Sequence, residues 1–252
     1  MHRRDALRAV TALALGTAAG CDSTTGTTAS PTPPAAGTPA AASPAPASAA
    51  PAVLPAEVTH GPRDRDTVAL TFHGQGDPAI VTRLLDEIAR GGAKVTVLAV
   101  GTWLAAQPAL GRRILDDGHE LGNHTQHHAD IKRMSAAQAR QEIDSCAQIL
   151  RQVSGTIGPW FRPSQTQHAT ATIKAAAAHV GYRTCLSYDV DSLDYTDPGA
   201  AAVVATTLKT VRPGSIVSLH FGHPGTVSAM APLLAGLRKK GLTPVTVTEL
   251  LR

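Results

Sequence analysis

Gly92–His128 reads GAKVTVLAVGTWLAAQPALGRRILDDGHELGNHTQHH, and the order of its patterns decides the fold. KVTVLAV (94–100) is a short apolar run rich in β-branched residues, which reads as a buried strand. PALGRRILDDG (108–118) reads as a helix, opened by Pro108 and closed by Gly118. The stretch ends in GHELGNHTQHH (118–128). His124 and His128 are four apart. On a helical turn that spacing puts both imidazoles on one face, where they can grip one metal ion. His127 points elsewhere on that geometry, and His119 is expected to pack rather than bind.

The same alternation extends both ways. TVALTF (67–72) is a strand, and PAIVTRLLDEIARGG (78–92) is a helix whose Ile80, Leu84, Leu85 and Ile88 share a face. Ser135 to Val153 is a longer helix in which Ser135 and Gln138 have capping-box spacing. Beyond it come helix TATIKAAAAHVG (170–181), strand RTCLSYDV (183–190), helix AAAVVATTLKTV (200–211) and strand SIVSLH (215–220). A helix over 226–240 and strand TPVTVT (243–248) complete the order. Strands alternating with helices predict an α/β fold built on a parallel sheet or barrel. Chemistry in such folds sits beyond the carboxyl ends of the strands. His73, Arg162, Asp191 and His220 lie there, so they are expected to converge on one site. His223, in HFGHP, is expected at a loop tip on the surface.

The first residues have another origin. MHRRDALRAVTALALGTAAGC (1–21) has a basic start and an apolar run too short to span a membrane, as a secretory signal does. AAGC (18–21) resembles a bacterial lipobox, which makes Cys21 the lipidated residue, and Arg3-Arg4 suggests twin-arginine export. Residues 22–57 are nearly all Ala, Pro, Ser, Thr and Gly, an extended tether without the large apolar residues a core needs. Residues 58–252 hold the folded domain. The expected location is the outer face of the cell membrane, touched only through the lipid anchor. A net charge of +4 with no basic stripe gives no support for nucleic-acid binding, and a monomer is expected. Cys146 and Cys185 either pair or stay as buried thiols.

Together these motifs resemble the polysaccharide deacetylases of the NodB-homology type, carbohydrate esterase family 4. In that family a strand, vG, a helix with P-x-L, and GHE-x-GNH[ST]xxH follow in the order seen over 92–128. The resemblance runs from about Val68 to the C-terminus. It implies a distorted (β/α) barrel and a divalent metal, usually zinc. It also implies hydrolysis of acetyl groups on an acetylated glycan such as peptidoglycan or a chitin-like oligosaccharide. FRPSQT (161–166) is similar to the family's RPPY region, with Arg162 and Pro163 kept and Ser164 and Gln165 replacing Pro and Tyr. YDVDSLDY (188–195) matches the D-x-D strand end. Asp191 then takes the functional aspartate's place, and Tyr195 stands for a groove-lining Trp. SIVSLH matches the last motif, making His220 the general acid and Asp191 the residue that orients it.

The departure is in LTFHGQGDP (70–78). The family's TFDDG supplies a base and a metal-ligating carboxylate, whereas this chain has His73-Gly74. Two repairs are open. Asp77 ligates the metal with His124 and His128 while His73 is the base, or His73 completes a three-histidine site and Asp77 is the base. In the family the motif Arg pairs with the base carboxylate, and an Arg fork suits a carboxylate rather than an imidazole, which slightly favours Asp77 as the partner of Arg162. Two other readings keep the fold: a catalytically inactive glycan-binding lipoprotein, and an amidase for a small non-carbohydrate molecule. Aromatic residues make up only 3% of the chain, a sparse platform for stacking sugars, which favours a small or unusual substrate.

Overall fold

The computed structural model describes residues 54–252. The signal, Cys21 and most of the tether lie outside the described residues. A short strand, β1 (Glu57–Val58), leads into β2 (Thr67–Gly74), the central strand. Its Val68–Phe72 side chains are all buried, as expected of a parallel strand covered on both faces. Helix α1 (Pro78–Arg90) follows, with Val81, Leu84, Leu85 and Ile88 inward and Gly91 as its C-cap. Next come β3 (Thr96–Ala99), a short helix α2 (Gly101–Ala106), α3 (Pro108–Asp116) and β4 (Glu120–Asn123). Helix α4 (Ala136–Ser154) carries the expected capping box between Ser135 and Gln138.

The second half contains α5 (Ala171–Val180), β5 (Cys185–Leu186), β6 (Val190–Asp191) and α6 (Ala200–Thr210). It ends with β7 (Ile216–His220), α7 (Pro224–Lys239), β8 (Thr243–Val245) and α8 (Val247–Leu250). The strand expected over 183–190 is therefore two short pieces. That expected over 243–248 stops at Val245, because the Thr246 side chain accepts from the Glu249 N–H and starts α8.

The pairings between these strands are all parallel. The order is β4-β3-β2-β7-β6, with β8 on the first residues of β2. Single parallel bridges at Phe161 carry the ladder from Asn123 to Cys185, beside β1. The register sets His73 against His220, and Asn123 against Ala99. The active ends of β2, β7 and β4 thus share one rim. Cys146 and Cys185 are free and buried, and burial pushes each thiol up to about 12, so both are inert packing residues.

Candidate active site

His73 leaves β2 beside His220 on β7, with ring centroids 4.3 Å apart. His124, one residue beyond β4, stacks against His73 at 4.2 Å, and His128 lies 4.9 Å from His124. The ligand atoms of His73, His124 and His128 all fall within 4.8 Å of one another.

The two motif histidines do not ride on a helical turn. Residues 124–128 form a loop in which Thr125 (φ 67°) and His128 (φ 57°) adopt left-handed backbone. Buried hydrogen bonds offset that strain. The Asn123 side chain accepts from the Thr125 N–H and donates to the Ile143 carbonyl, pinning the loop to α4. The Thr125 hydroxyl accepts from the His128 N–H and donates to Ser164. Ser164 in turn donates to the Ala129 carbonyl, and Gln165 to that of His128. The two residues that depart from the family's RPPY pattern therefore clamp the loop that carries His128. His127 faces away and pairs with Glu142.

His124 Nδ1 lies 2.9 Å from the Arg162 carbonyl. A carbonyl can only accept, so the ring proton sits on Nδ1 and the Nε2 lone pair is free. The Nε2 atoms of both His73 and His124 are buried without a hydrogen-bond partner. Burial, reinforced by the neighbouring imidazoles, holds both rings well below the ordinary histidine range. His128 is lowered too, by burial and by His220. Neutral, orphaned imidazole nitrogens converging on one point fit a divalent cation of the zinc class.

Asp77 is not in this cluster. It is exposed and caps α1, accepting from the Ala79 and Ile80 N–H groups at 2.9 and 3.2 Å. Two contacts hold the loop before it in place. The Gly76 carbonyl accepts from Trp103 Nε1, and Gly76 lies so close to Gly222 that a Cβ would meet its Cα at 2.5 Å. The second carboxylate's place is taken by Gly74, where a Cβ would come within 2.7 Å of Val97 Cγ1. Of the two repairs, the one that gives His73 to the metal cluster matches this geometry, whereas neither role for Asp77 does.

Among the described residues, Arg162 has no carboxylate partner within hydrogen-bond reach. It is fully buried, donates to the carbonyls of Leu186 and Ser187, packs under the Tyr188 ring and leaves Nη1 unpaired. Burial lowers its pKa to about 9, against the opposing fields of Tyr188 and Asp191.

The partner of His220 is Asp194, not Asp191. Asp194 Oδ1 lies 2.7 Å from His220 Nδ1, and Oδ2 accepts from the His220 N–H at 2.8 Å. Thr226 and Ser192 donate to the same carboxylate, whose side chain is fully enclosed. Burial acts to raise the Asp194 pKa, but its hydrogen bonds from His220 and Thr226 win and hold it low. Asp191 instead accepts from the Leu193 N–H and stabilises the turn that turns Asp194 inward. Leu193 takes left-handed backbone at φ 57° to do so. Asp194 stands three residues on in DSLDY, past the strand end where sequence reasoning looked; its neighbour Tyr195 was the available signal.

A groove passes over the cluster. Its two sides, about 580 and about 330 Å³, share His73, His128 and His220. Trp103 and His223 line the larger side. His223 is thus a groove residue, held by Asp197 at 2.9 Å, rather than a loop-tip histidine. Tyr195 stands on the smaller side, 47% exposed, with its ring 5.1 Å from that of His220. His119 is buried with both ring nitrogens unpartnered, and burial pushes it down to about 4, which agrees with a packing role.

The chain is similar to known proteins along most of this domain. The profile of the polysaccharide deacetylase family matches residues 60–185. A peptidoglycan-N-acetylglucosamine deacetylase of Bacillus cereus is 33% identical over 196 residues, covering 76% of this chain and 91% of the relative. Among solved structures, the Bc1960 peptidoglycan N-acetylglucosamine deacetylase superposes with a TM-score of 0.73 at 25% identity, covering 78% of this chain and 92% of that one. A CE4 family pseudoenzyme from Bacillus anthracis shares the fold with the same TM-score at 22% identity, covering 79% and 70%. The chain therefore belongs to the polysaccharide deacetylase family, as a deacetylase-like hydrolase of the NodB-homology type whose first motif has diverged.

Proposed function

We propose that the protein is a metal-dependent hydrolase that removes acetyl groups from a cell-wall or extracellular glycan. We place it at the outer face of the membrane, exported and held there through Cys21 and the 22–57 tether. The observation that carries the reading is the convergence of two buried, unpartnered imidazole nitrogens, His73 Nε2 and His124 Nε2, beside a hydrogen-bonded His220–Asp194 pair. The relatives named for peptidoglycan and chitooligosaccharide deacetylation support an acetylated aminosugar as substrate.

His73, His124 and His128 would hold a divalent ion, zinc by the chemistry of an all-imidazole donor set. Such an ion supplies Lewis acidity for the acetyl carbonyl oxygen and for a water molecule. Asp194 keeps the His220 proton on Nδ1 and stabilises the imidazolium, so Nε2 faces the groove as the acid. His220 gives its Nε2 proton to the leaving nitrogen as the carbon–nitrogen bond breaks. Tyr195, exposed beside His220, offers a sugar ring one aromatic face.

The test is acetate release from acetylated chitooligosaccharides and peptidoglycan by the zinc-loaded protein. Wild type is expected to release acetate, and His220→Ala to lose about 100-fold or more. A second reading, glycan binding without catalysis, is favoured by the loss of both first-motif carboxylates. It predicts sugar binding with no acetate release from wild type.

A further inference from the structure

With His73 in the cluster and Asp77 capping α1, the attacking water has no proton acceptor at the first motif. The strand register points to another. Asp191 on β6 pairs with Ser218 on β7, and Ser218 pairs with Thr71 on β2. Two residues on, His220 pairs with His73. Side chains alternate along a strand, so Asp191, Ser218, His220 and His73 share one face. Asp191 is partly exposed and lines the smaller side of the groove together with His73, His128, His220, Tyr188 and Tyr195. Among the described residues lining the two sides of the groove, it is the one carboxylate. The nearby acids are committed elsewhere: Asp194 to His220, Asp197 to His223 and Asp77 to α1. One Asp191 oxygen, Oδ1, accepts from the Leu193 N–H, and Oδ2 carries no hydrogen bond among the described residues. Arg162 is buried with Nη1 unpaired, and the charge of Asp191 acts to favour its protonated form.

We infer that Asp191 is the general base of this chain, replacing the carboxylate that the first motif lacks. The inference rests on the deacetylase reading above. Asp191 Oδ2 takes one proton of water as the water oxygen bonds to the acetyl carbon. His220, starting as the imidazolium, then protonates the nitrogen as the carbon–nitrogen bond breaks, giving acetate and the amine, and the proton held by Asp191 returns through solvent to His220, which resets both groups. The base has moved from the end of β2 to the end of β6, across the histidine cluster.

The test uses the full chain with three readouts: acetate release, zinc content and denaturation midpoint. Asp191→Asn keeps an Oδ1 acceptor for the Leu193 N–H, so the turn and the Asp194–His220 pair stay in place. It is expected to lower kcat about 100-fold or more, with KM, zinc content and midpoint at wild-type values. Asp191→Ser keeps a hydroxyl cap and opens space, so added formate is expected to restore part of its activity. Activity of Asp191→Asn within about twofold of wild type overturns the inference. So does loss of zinc from that variant, which would make Asp191 a ligand, or a change confined to KM. A wild-type protein that releases no acetate overturns the deacetylase reading itself, and the inference with it.

Discussion

The two halves of the histidine cluster are built differently. On the acid side, the His220 ring and backbone, Thr226 and Ser192 all donate to one enclosed carboxylate, Asp194. On the other side, His73 and His124 hold buried nitrogens that touch no polar partner. A buried polar atom without a partner costs about 1–3 kcal/mol. A fold that carries two of them side by side, one on β2 and one on a loop strained at Thr125 and His128, bears that cost at one point in space. The contrast teaches how to read each half. The satisfied half is finished by the protein alone, whereas the unsatisfied half supports the proposed metal site.

Breaking the finished half should have the larger effect. Asp194→Asn leaves a side-chain amide facing donors and removes the charge opposite His220. It should lower acetate release about 100-fold or more and cost about 3 kcal/mol of stability by urea denaturation. The pH dependence follows from the lowered Asp194 pKa. Its stabilising contribution is complete above the unfolded carboxyl value, near ~4, and is lost as pH falls through the lower folded value. The wild-type stability curve should therefore fall with acid over that window, and the Asp194→Asn curve should be flatter there.

The smallest effect sharpens the contrast from outside. Asp77→Ala removes the α1 cap and should cost about 1 kcal/mol, read as a shift in the urea midpoint. Zinc content and acetate release should stay at wild-type levels, because Asp77 is exposed and points away from the cluster. A loss of zinc in that variant would mean that the loop reaches inward after all.

Much of this was legible in the sequence. The alternation of strands and helices points to the parallel sheet, and of the four strand-end residues His73, Arg162, Asp191 and His220, all but Arg162 line one groove; Arg162 is buried and donates to the Leu186 and Ser187 carbonyls instead. The Ser135 capping box was found where the spacing put it. What escaped was set by backbone that local pattern does not encode. The His124–His128 spacing matches a helical turn, yet left-handed residues and the Asn123, Ser164 and Gln165 hydrogen bonds bring the rings together instead. The same holds at Asp194. A turn with Leu193 in left-handed conformation brings the second acid of DSLD, not the first, to His220. Asp77 looked like a repair because it is near in sequence. Its helix-capping bonds and the Gly76–Gly222 contact, both tertiary or capping features, hold it away.

We propose His73 as a metal ligand, and zinc uptake by the chelator-stripped protein, measured by elemental analysis alongside thermal unfolding, tests this. Wild type should take up about one zinc per chain, held by His73, His124 and His128. Zinc should add about 2.7 kcal/mol of stability at a hundredfold excess over the dissociation constant, with both effects lost in His73→Ala. No uptake by wild type, or equal uptake by His73→Ala, would contradict it.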